Sequence, residues 1–255
     1  MRITSAILSD ILHGMARKTT KSLTPAPAAA RKAEVAGAAA RNSLAHQAYE
    51  LIKSRILSLE LRPGQFLNEA ALCEMTGIGR MPVHQATHRL QSEGLIEVIP
   101  RKGLVVRMDS LHDVLALLEA RLAMEPNVAA LAAERISKEQ CAELERLLKR
   151  SRGLVGQSQR QAYGLIDRAF HGIVLEAAGN KILADAVRPL QQRSELFWQL
   201  RIMPEEALAV TQREHEAVLS AILKHDAEAA RSAMHAHLLS LHNRILKATN
   251  VRTRV

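Results

Sequence analysis

Cysteine is scarce in this sequence of 255 residues: only Cys73 and Cys141 occur, with no C-x-x-C, which excludes a disulfide framework. That scarcity fits a reducing, intracellular compartment, and a cytoplasmic protein is expected. Aromatic residues make up 2%, which argues against a single-strand nucleic-acid binder built on stacked rings. No apolar run approaches the ~20 residues that a membrane helix needs, so a spanning protein is excluded and no membrane partner is expected. H-E-x-x-H, G-x-S-x-G and Walker A sequences are all missing. What is present is an ordinary globular mix, 47% hydrophobic and 24% charged, long enough for two domains.

The net charge of +9 invites a nucleic-acid reading, but its distribution tempers that. Residues 1–43 carry seven Lys/Arg against two acids, whereas 44–108 carry eight against six and 109–255 twenty against eighteen. More than half of the excess therefore lies in the first segment. That segment is rich in Ala, with Pro25, Pro27 and Gly37, and has too few large apolar residues for a core. Residues 1–43 read as a disordered basic arm or as an over-extended start upstream of Met15; an organelle transit peptide is the lesser alternative.

From Leu44 the texture changes. Apolar residues at 44, 48, 51, 52, 56 and 59 have helical spacing over Leu44–Leu59. Arg62-Pro63-Gly64 marks a turn, and Asn68 caps a short helix, Glu69–Met75. Thr76-Gly77-Ile78-Gly79 is a tight connection to a third helix that starts around Met81, with Pro82 in its first turn. Glu93-Gly94 ends it. Leu95–Ile99 and Leu104–Arg107, joined by Pro100-Arg101-Lys102-Gly103, form a hairpin. Three helices and a two-stranded ribbon over 44–108 make a winged helix-turn-helix.

In such a fold the second helix of the turn enters the major groove. Val83, Ala86, Thr87 and Leu90 share the face that should pack inward, leaving His84, Gln85, His88 and Arg89 outside. Arg80 stands at the helix start, where a phosphate or a guanine can be met, and Arg101 and Lys102 top the wing. The expected DNA-facing set is Arg80, Met81, His84, Gln85, His88, Arg101, Lys102 and Gly103. The same surface on a protein-binding winged helix would be merely solvated, so pattern alone leaves both readings open.

Pro63-Gly64, Leu67, Glu69, Leu72, Gly77, Arg80, Pro82-Val83, Ala86, Leu90, Glu93-Gly94-Leu95 and Gly103 together resemble the DNA-binding domain of the GntR family of bacterial transcription regulators. The resemblance implies operator DNA as partner, Arg80 as a DNA contact and Gly103 as the wing turn. Departures fall on the reading surface. Gly79 stands where the family has Ser or Thr, Met81 where it has Thr, His84 where it has a second Arg and Gln85 where it has Glu.

After Arg107 the chain reads as helix to its end. Six helices are expected at about 110–135, 138–156, 159–178, 180–202, 205–224 and 226–248, an all-helical bundle over 109–250. Ser110 and Ser137 begin capping boxes, and the later breaks fall at Gly179-Asn180, Met203-Pro204 and His225-Asp226. At 100° per residue, Asp167 and His171 fall within the apolar arc of one helix, His215 within another and His237 within a third. A carboxylate facing a core must be paired or bind a cation. One Asp and three His suit Zn²⁺, Ni²⁺ or Mn²⁺. Hydrogen-bonded core histidines, with Asp167 paired to Arg168, Arg193 or Arg201, are the competing reading.

Asp167-x-x-Phe170-His171, Glu214-His215-x-x-Val218 and Met234-x-x-His237-Leu238 resemble the ligand motifs of the FCD effector domain in the FadR-like branch of the same family. Six helices are closer to its VanR-type subgroup than to the seven-helix FadR type. The resemblance implies a divalent metal on Asp167, His171, His215 and His237, and a small carboxylate effector completing its coordination. Arg121 and Asn180 are candidate contacts for that acid. The whole then reads as a mainly α, homodimeric, ligand-responsive regulator, by default a repressor. A metal ion with a purely structural role is a further alternative, and so is a metal-dependent hydrolase with an appended DNA-binding module, in which Glu214 or Glu216 would be the base.

Overall fold

The computed structural model describes residues 43–155, 159–199 and 206–252. The arm before Ser43 and the expected break at Met203-Pro204 lie outside these residues. Three helices come first: α1 (Leu44–Leu57), α2 (Glu69–Thr76) and α3 (Arg80–Ser92). Strands β1 (Phe66–Leu67), β2 (Ile96–Ile99) and β3 (Gly103–Val106) form one sheet in the order β1-β3-β2. Six helices follow: α4 (Leu111–Arg135), α5 (Lys138–Arg152), α6 (Arg160–Ala177), α7 (Lys181–Gln199), α8 (Glu206–Leu223) and α9 (Ala227–Arg252). The mainly α class and the winged helix-turn-helix are as the sequence predicts.

Local chemistry explains the early boundaries. The Asn68 side chain accepts from the Ala70 amide at 2.8 Å and starts α2. In α3, Val83, Ala86, Thr87 and Leu90 are buried, and the first three apolar side chains of that set meet Tyr49, Ile52 and Ile56 of α1, Leu72 of α2 and Val106 of β3 in one core. Each large apolar side chain removed from water there contributes roughly 1.5–3 kcal/mol. Gly94, just beyond α3, has φ +73, which an L side chain rarely adopts. At the wing, Gly103 has φ +97 and the Lys102 amide closes the loop on the Ile99 carbonyl at 3.0 Å.

Four expectations need correction here. Helix α1 stops at Leu57 rather than Leu59, because Leu59 itself turns to φ +62. The sheet has a third strand: Phe66 and Leu67 pair antiparallel with Val105 and Leu104. A strand of two residues has no periodicity to detect, and its pairing partner lies far along the chain. Helix α5 stops at Arg152, not near 156, and α9 runs on to Arg252, past 248.

The helical part is built around small residues. Val128, Ala129, Ala132 and Ala133 of α4 pack with Leu144 and Leu148 of α5, Phe170 and Val174 of α6, Val218 and Ile222 of α8, and Met234 and Leu238 of α9. Ser110 and Ser137 each make a full capping box, with Asp113 and Gln140. Pro126 lies inside α4 and Pro189 inside α7, each removing one helical N–H donor. Helix α7 also touches the winged helix: Arg193 pairs with Asp109 at 2.6 Å and lies against Gly94, where an added Cβ would meet the Arg193 Cδ at 3.2 Å.

Candidate metal centre and nucleic-acid interface

Helical periodicity places His171 on the buried face of α6, His215 on that of α8 and His237 on that of α9. All three side chains are buried, and one potential ligand atom of each lies within 4.8 Å of the others. The rings of His215 and His237 are 4.6 Å apart, centroid to centroid, and that of His171 is 5.1 Å from His215. Asp167, one turn before His171, stands beside the group: its Oδ1 is 3.5 Å from the His215 Nε2. Arg193, one of the arginines expected beside Asp167, is instead committed to Asp109, at 2.6 Å.

The surroundings set the chemistry of the imidazoles. Burial, and then the neighbouring His237 and His171, hold the His215 pKa well below its ordinary value. Burial also lowers that of His237, against the opposing pull of Glu214. Both rings are therefore neutral near pH 7, the form that donates a lone pair to a cation. The His237 Nδ1 donates to the Glu214 Oε2 at 2.9 Å, since a carboxylate can only accept, and this leaves Nε2 as its free lone pair. Burial pushes the Glu214 carboxyl up, but hydrogen bonds from His237, Arg244 and Ser240 win and bring it down to about 2. Glu214 is thus a buttress for a neighbouring imidazole, as second-shell partners of ligating histidines commonly are.

A second carboxylate beside the imidazoles was not singled out from the sequence. Glu125 of α4 is buried; its Oε2 is 3.5 Å from the His171 Nδ1, and Arg121 binds it at 2.5 and 3.3 Å. Burial works against its charge, yet Arg121 outweighs that and the carboxyl stays ionised. The i, i+4 spacing of Arg121 and Glu125 was readable as an ion pair, but not its inward direction.

The residues present fit a divalent cation. The His171 Nδ1 and His215 Nε2 are buried with no hydrogen-bond partner, and a bare buried imidazole nitrogen is costly. The donor set of imidazoles with an adjacent carboxylate suits a borderline metal. Next to it lies a cavity of about 100 Å³, lined by Asp167 and His171 together with Arg121, Arg168, Arg188, Gln191, Gln192 and Ser194. Arg121 thus reaches the cavity, although it is already paired. Asn180 does not line it: its side-chain oxygen accepts from the Ile182 and Leu183 amides at 3.1 and 3.2 Å and caps α7. An effector contact from Asn180 is not what this placement supports. Glu216 points away from the cluster to Arg152, at 2.7 Å.

In the winged helix-turn-helix, the expected DNA-facing residues fall on α3 and the wing. Arg80, Met81, His84, Gln85 and His88 are exposed, as are Arg101, Lys102 and Gly103 on the wing. Arg80 is 86% exposed, with the Glu69 carboxylate 3.8 Å from its Nε, so its guanidinium is held only loosely. Arg89 is turned differently from the rest: its guanidinium covers the Tyr49 ring at 3.6 Å and its Nε pairs with Glu93 at 3.1 Å. No helix among the described residues is long and apolar enough to cross a membrane.

Comparison with known proteins gives this arrangement a family. Residues 44–106 match the model of the bacterial regulatory proteins of the gntR family, and residues 116–240 match the FCD domain. The HTH-type transcriptional repressor RspR of Escherichia coli (strain K12) is 28% identical over 195 residues, covering 75% of this chain and 84% of that one. The Uxu operon regulator of Haemophilus influenzae is 31% identical over 199 residues, covering 72% and 74%. Among solved structures, that of E. coli McbR/YncC superposes with a TM-score of 0.71 at 21% identity over 80% of this chain and 98% of its own. A GntR regulator from Rhodococcus sp. RHA1 gives 0.67 at 18% identity, over 80% and 98%. These relatives are regulators, which overturns the hydrolase alternative. The chain belongs to the GntR family and is an FCD-containing, DNA-binding transcription regulator, not an enzyme.

Proposed function

We propose that this regulator is a cytoplasmic repressor that senses a small organic acid through a divalent metal held in its helical part. In this reading residues 44–108 bind the operator, 109–250 hold the effector and pair two copies, and 1–43 form an accessory arm. The observation that carries it is the convergence of three buried imidazoles beside a cavity with three guanidinium groups at its walls. Asp167, His171, His215 and His237 would hold the ion. A bound divalent cation supplies an electrophilic anchor for a carboxylate. Arg188 is the cavity arginine best able to turn toward that carboxylate, because its own acidic neighbour, Glu176, is 4.0 Å away. Glu214 fixes the ring of His237 by a hydrogen bond, Glu125 stands 3.5 Å from the His171 Nδ1 as a negative neighbour, and Arg121 keeps Glu125 charged.

Helix α7 links the two halves of the reading. Gln192 and Ser194 line the cavity, while Arg193 between them holds Asp109. An effector relieves repression only if it binds the DNA-competent and DNA-incompetent states with different affinity, so movement of α7 must change this contact. Pairing follows from the size of a single winged helix, whose interface with DNA is small until two half-sites are read together.

The test is elemental analysis of the purified full chain, followed by calorimetric titration with hydroxy-, sugar and dicarboxylic acids. Wild type is expected to carry a divalent ion in stoichiometric amount and to bind an acid that lowers operator affinity. His215→Ala and His237→Ala should lose the ion and the acid together while still folding. Loss of folding alone would indicate an ion with a purely structural role. An acid that binds equally well with and without operator would sink the sensing mechanism.

A further inference from the structure

His84 holds the place on α3 where the family pattern has arginine, and its surroundings are specific. Its Nδ1 is 2.7 Å from the Glu69 Oε1, an approach typical of a charge-assisted hydrogen bond. Glu69 is the first residue of α2, where the helix dipole favours a negative charge, and Arg80 is 3.8 Å from its other oxygen. A carboxylate can only accept. The proton of the pair is therefore on the His84 Nδ1, and the tautomer is fixed by chemistry.

We propose that Glu69 is a positioning residue for sequence reading: by taking the Nδ1–H of His84 it leaves Nε2 as the ring's only uncommitted nitrogen, so the ring's charge selects the base. When the ring is cationic, Nε2–H donates, and guanine presents two acceptors, O6 and N7, in the major groove. When it is neutral, Nε2 accepts, and the amino group of adenine or cytosine is the complement. Arginine at this place could only donate. The substitution thus turns a fixed donor into a group whose polarity follows the charge of its ring.

Among the described residues, the groups facing the ring are few. Glu69 of α2 favours the cation. Arg80 of α3 and Lys102 of the wing oppose it, and His88, one turn along α3, meets the His84 ring edge-on at 4.6 Å. Glu69, His84, His88 and Lys102 line one groove between α3 and the wing. DNA phosphates entering there add negative potential, so the cationic, guanine-reading form gains on the operator.

The experiment is binding-site selection from randomised duplexes with the full chain at pH 6 and pH 8. Wild type should enrich guanine at one position of each half-site at pH 6, by about tenfold, and lose most of that preference at pH 8; tenfold is the scale of one hydrogen bond to a charged group. His84→Arg should enrich guanine there at both pH values. Glu69→Gln should keep its melting temperature and the rest of the motif, yet lose the guanine preference at pH 6. Identical motifs at both pH values for wild type would overturn the proposal. So would a pH-dependent position that survives His84→Arg, since His88 would then be the reader. A uniform drop in affinity for every sequence in Glu69→Gln, with the pH-dependence of the motif intact, would make Glu69 merely structural and overturn it too.

Discussion

Arg193 of α7 grips Asp109, the last residue but one before α4, with its Nη2 at 2.6 Å from Oδ1 and its Nε at 3.3 Å from Oδ2. The same carboxylate accepts from the Arg107 Nε at 2.7 Å. A residue between two cavity-lining neighbours is thereby tied to the end of the wing. The pair is about five-sixths shielded from solvent, enough for a measurable interaction without the full desolvation cost of a buried one. A double-mutant cycle of Arg193→Ala and Asp109→Ala should give a coupling of about 1 kcal/mol in thermal or urea melts. A coupling indistinguishable from zero would mean that this contact transmits nothing.

Gly94 offers a complementary probe. Its φ of +73 is strained for any L residue, and a Cβ there would sit 3.2 Å from the Arg193 Cδ. Gly94→Ala should cost about 1–2 kcal/mol, from the left-handed backbone alone. It should also weaken the Arg193–Asp109 coupling, because the arginine stem must shift. A melt that matches wild type would contradict both effects.

At the proposed metal centre the sharpest variant is Glu214→Gln. It leaves all four proposed ligands in place and removes the charge that backs His237 and also pairs with Arg244. Metal affinity, measured by competition with a chromophoric chelator, should fall 10–100-fold. An unchanged affinity would show that His237 is oriented by packing alone.

For DNA, Arg80→Ala should weaken specific operator binding by about 1–3 kcal/mol if its guanidinium makes a bidentate base contact. A fluorescence anisotropy titration against operator and scrambled duplex separates this from a phosphate contact, which would weaken both alike.

Tyr49 gives a prediction about pH. Its hydroxyl is buried, donates to Glu93 and has its pKa pushed far above the usual 10.0, by burial first and by Glu93 second. The unfolded chain releases this proton more readily than the folded one. The stabilisation is therefore complete below pH 10 and is lost as pH rises beyond it. Compared with Tyr49→Phe, wild type should lose melting temperature more steeply between pH 9.5 and 11, on the scale of ordinary tyrosine titration. Parallel curves would remove Tyr49 as the cause.

Much of this was legible because it is written in local pattern. The inward face of α3 and the three inward histidines follow from a repeat of 3.6 residues, and the caps at Asn68, Ser110 and Ser137 from polar side chains placed just before each helix. What was missed depends on partners distant in sequence. Phe66 and Leu67 become a strand only because Val105 and Leu104 return beside them. Glu214, named from the sequence only as a possible base, turns inward toward Arg244 and His237 of α9, which offer it three donors. Asn180 looked like a ligand contact but lies one residue before α7, where its side chain serves the free amides of the first turn. Helix periodicity gives a direction around one axis; it does not say what the neighbouring helix will bring to meet it.

One consequence concerns α8 as a rotating body. Glu214 and His215 are consecutive, so they leave the helix about 100° apart, one bracing a ring of α9 and the other presenting its own. A twist of α8 about its long axis would detune both at once, and no single rotamer change could restore the pair. An ion coordinated there would report the torsional angle of that helix, much as a key reports the alignment of two tumblers.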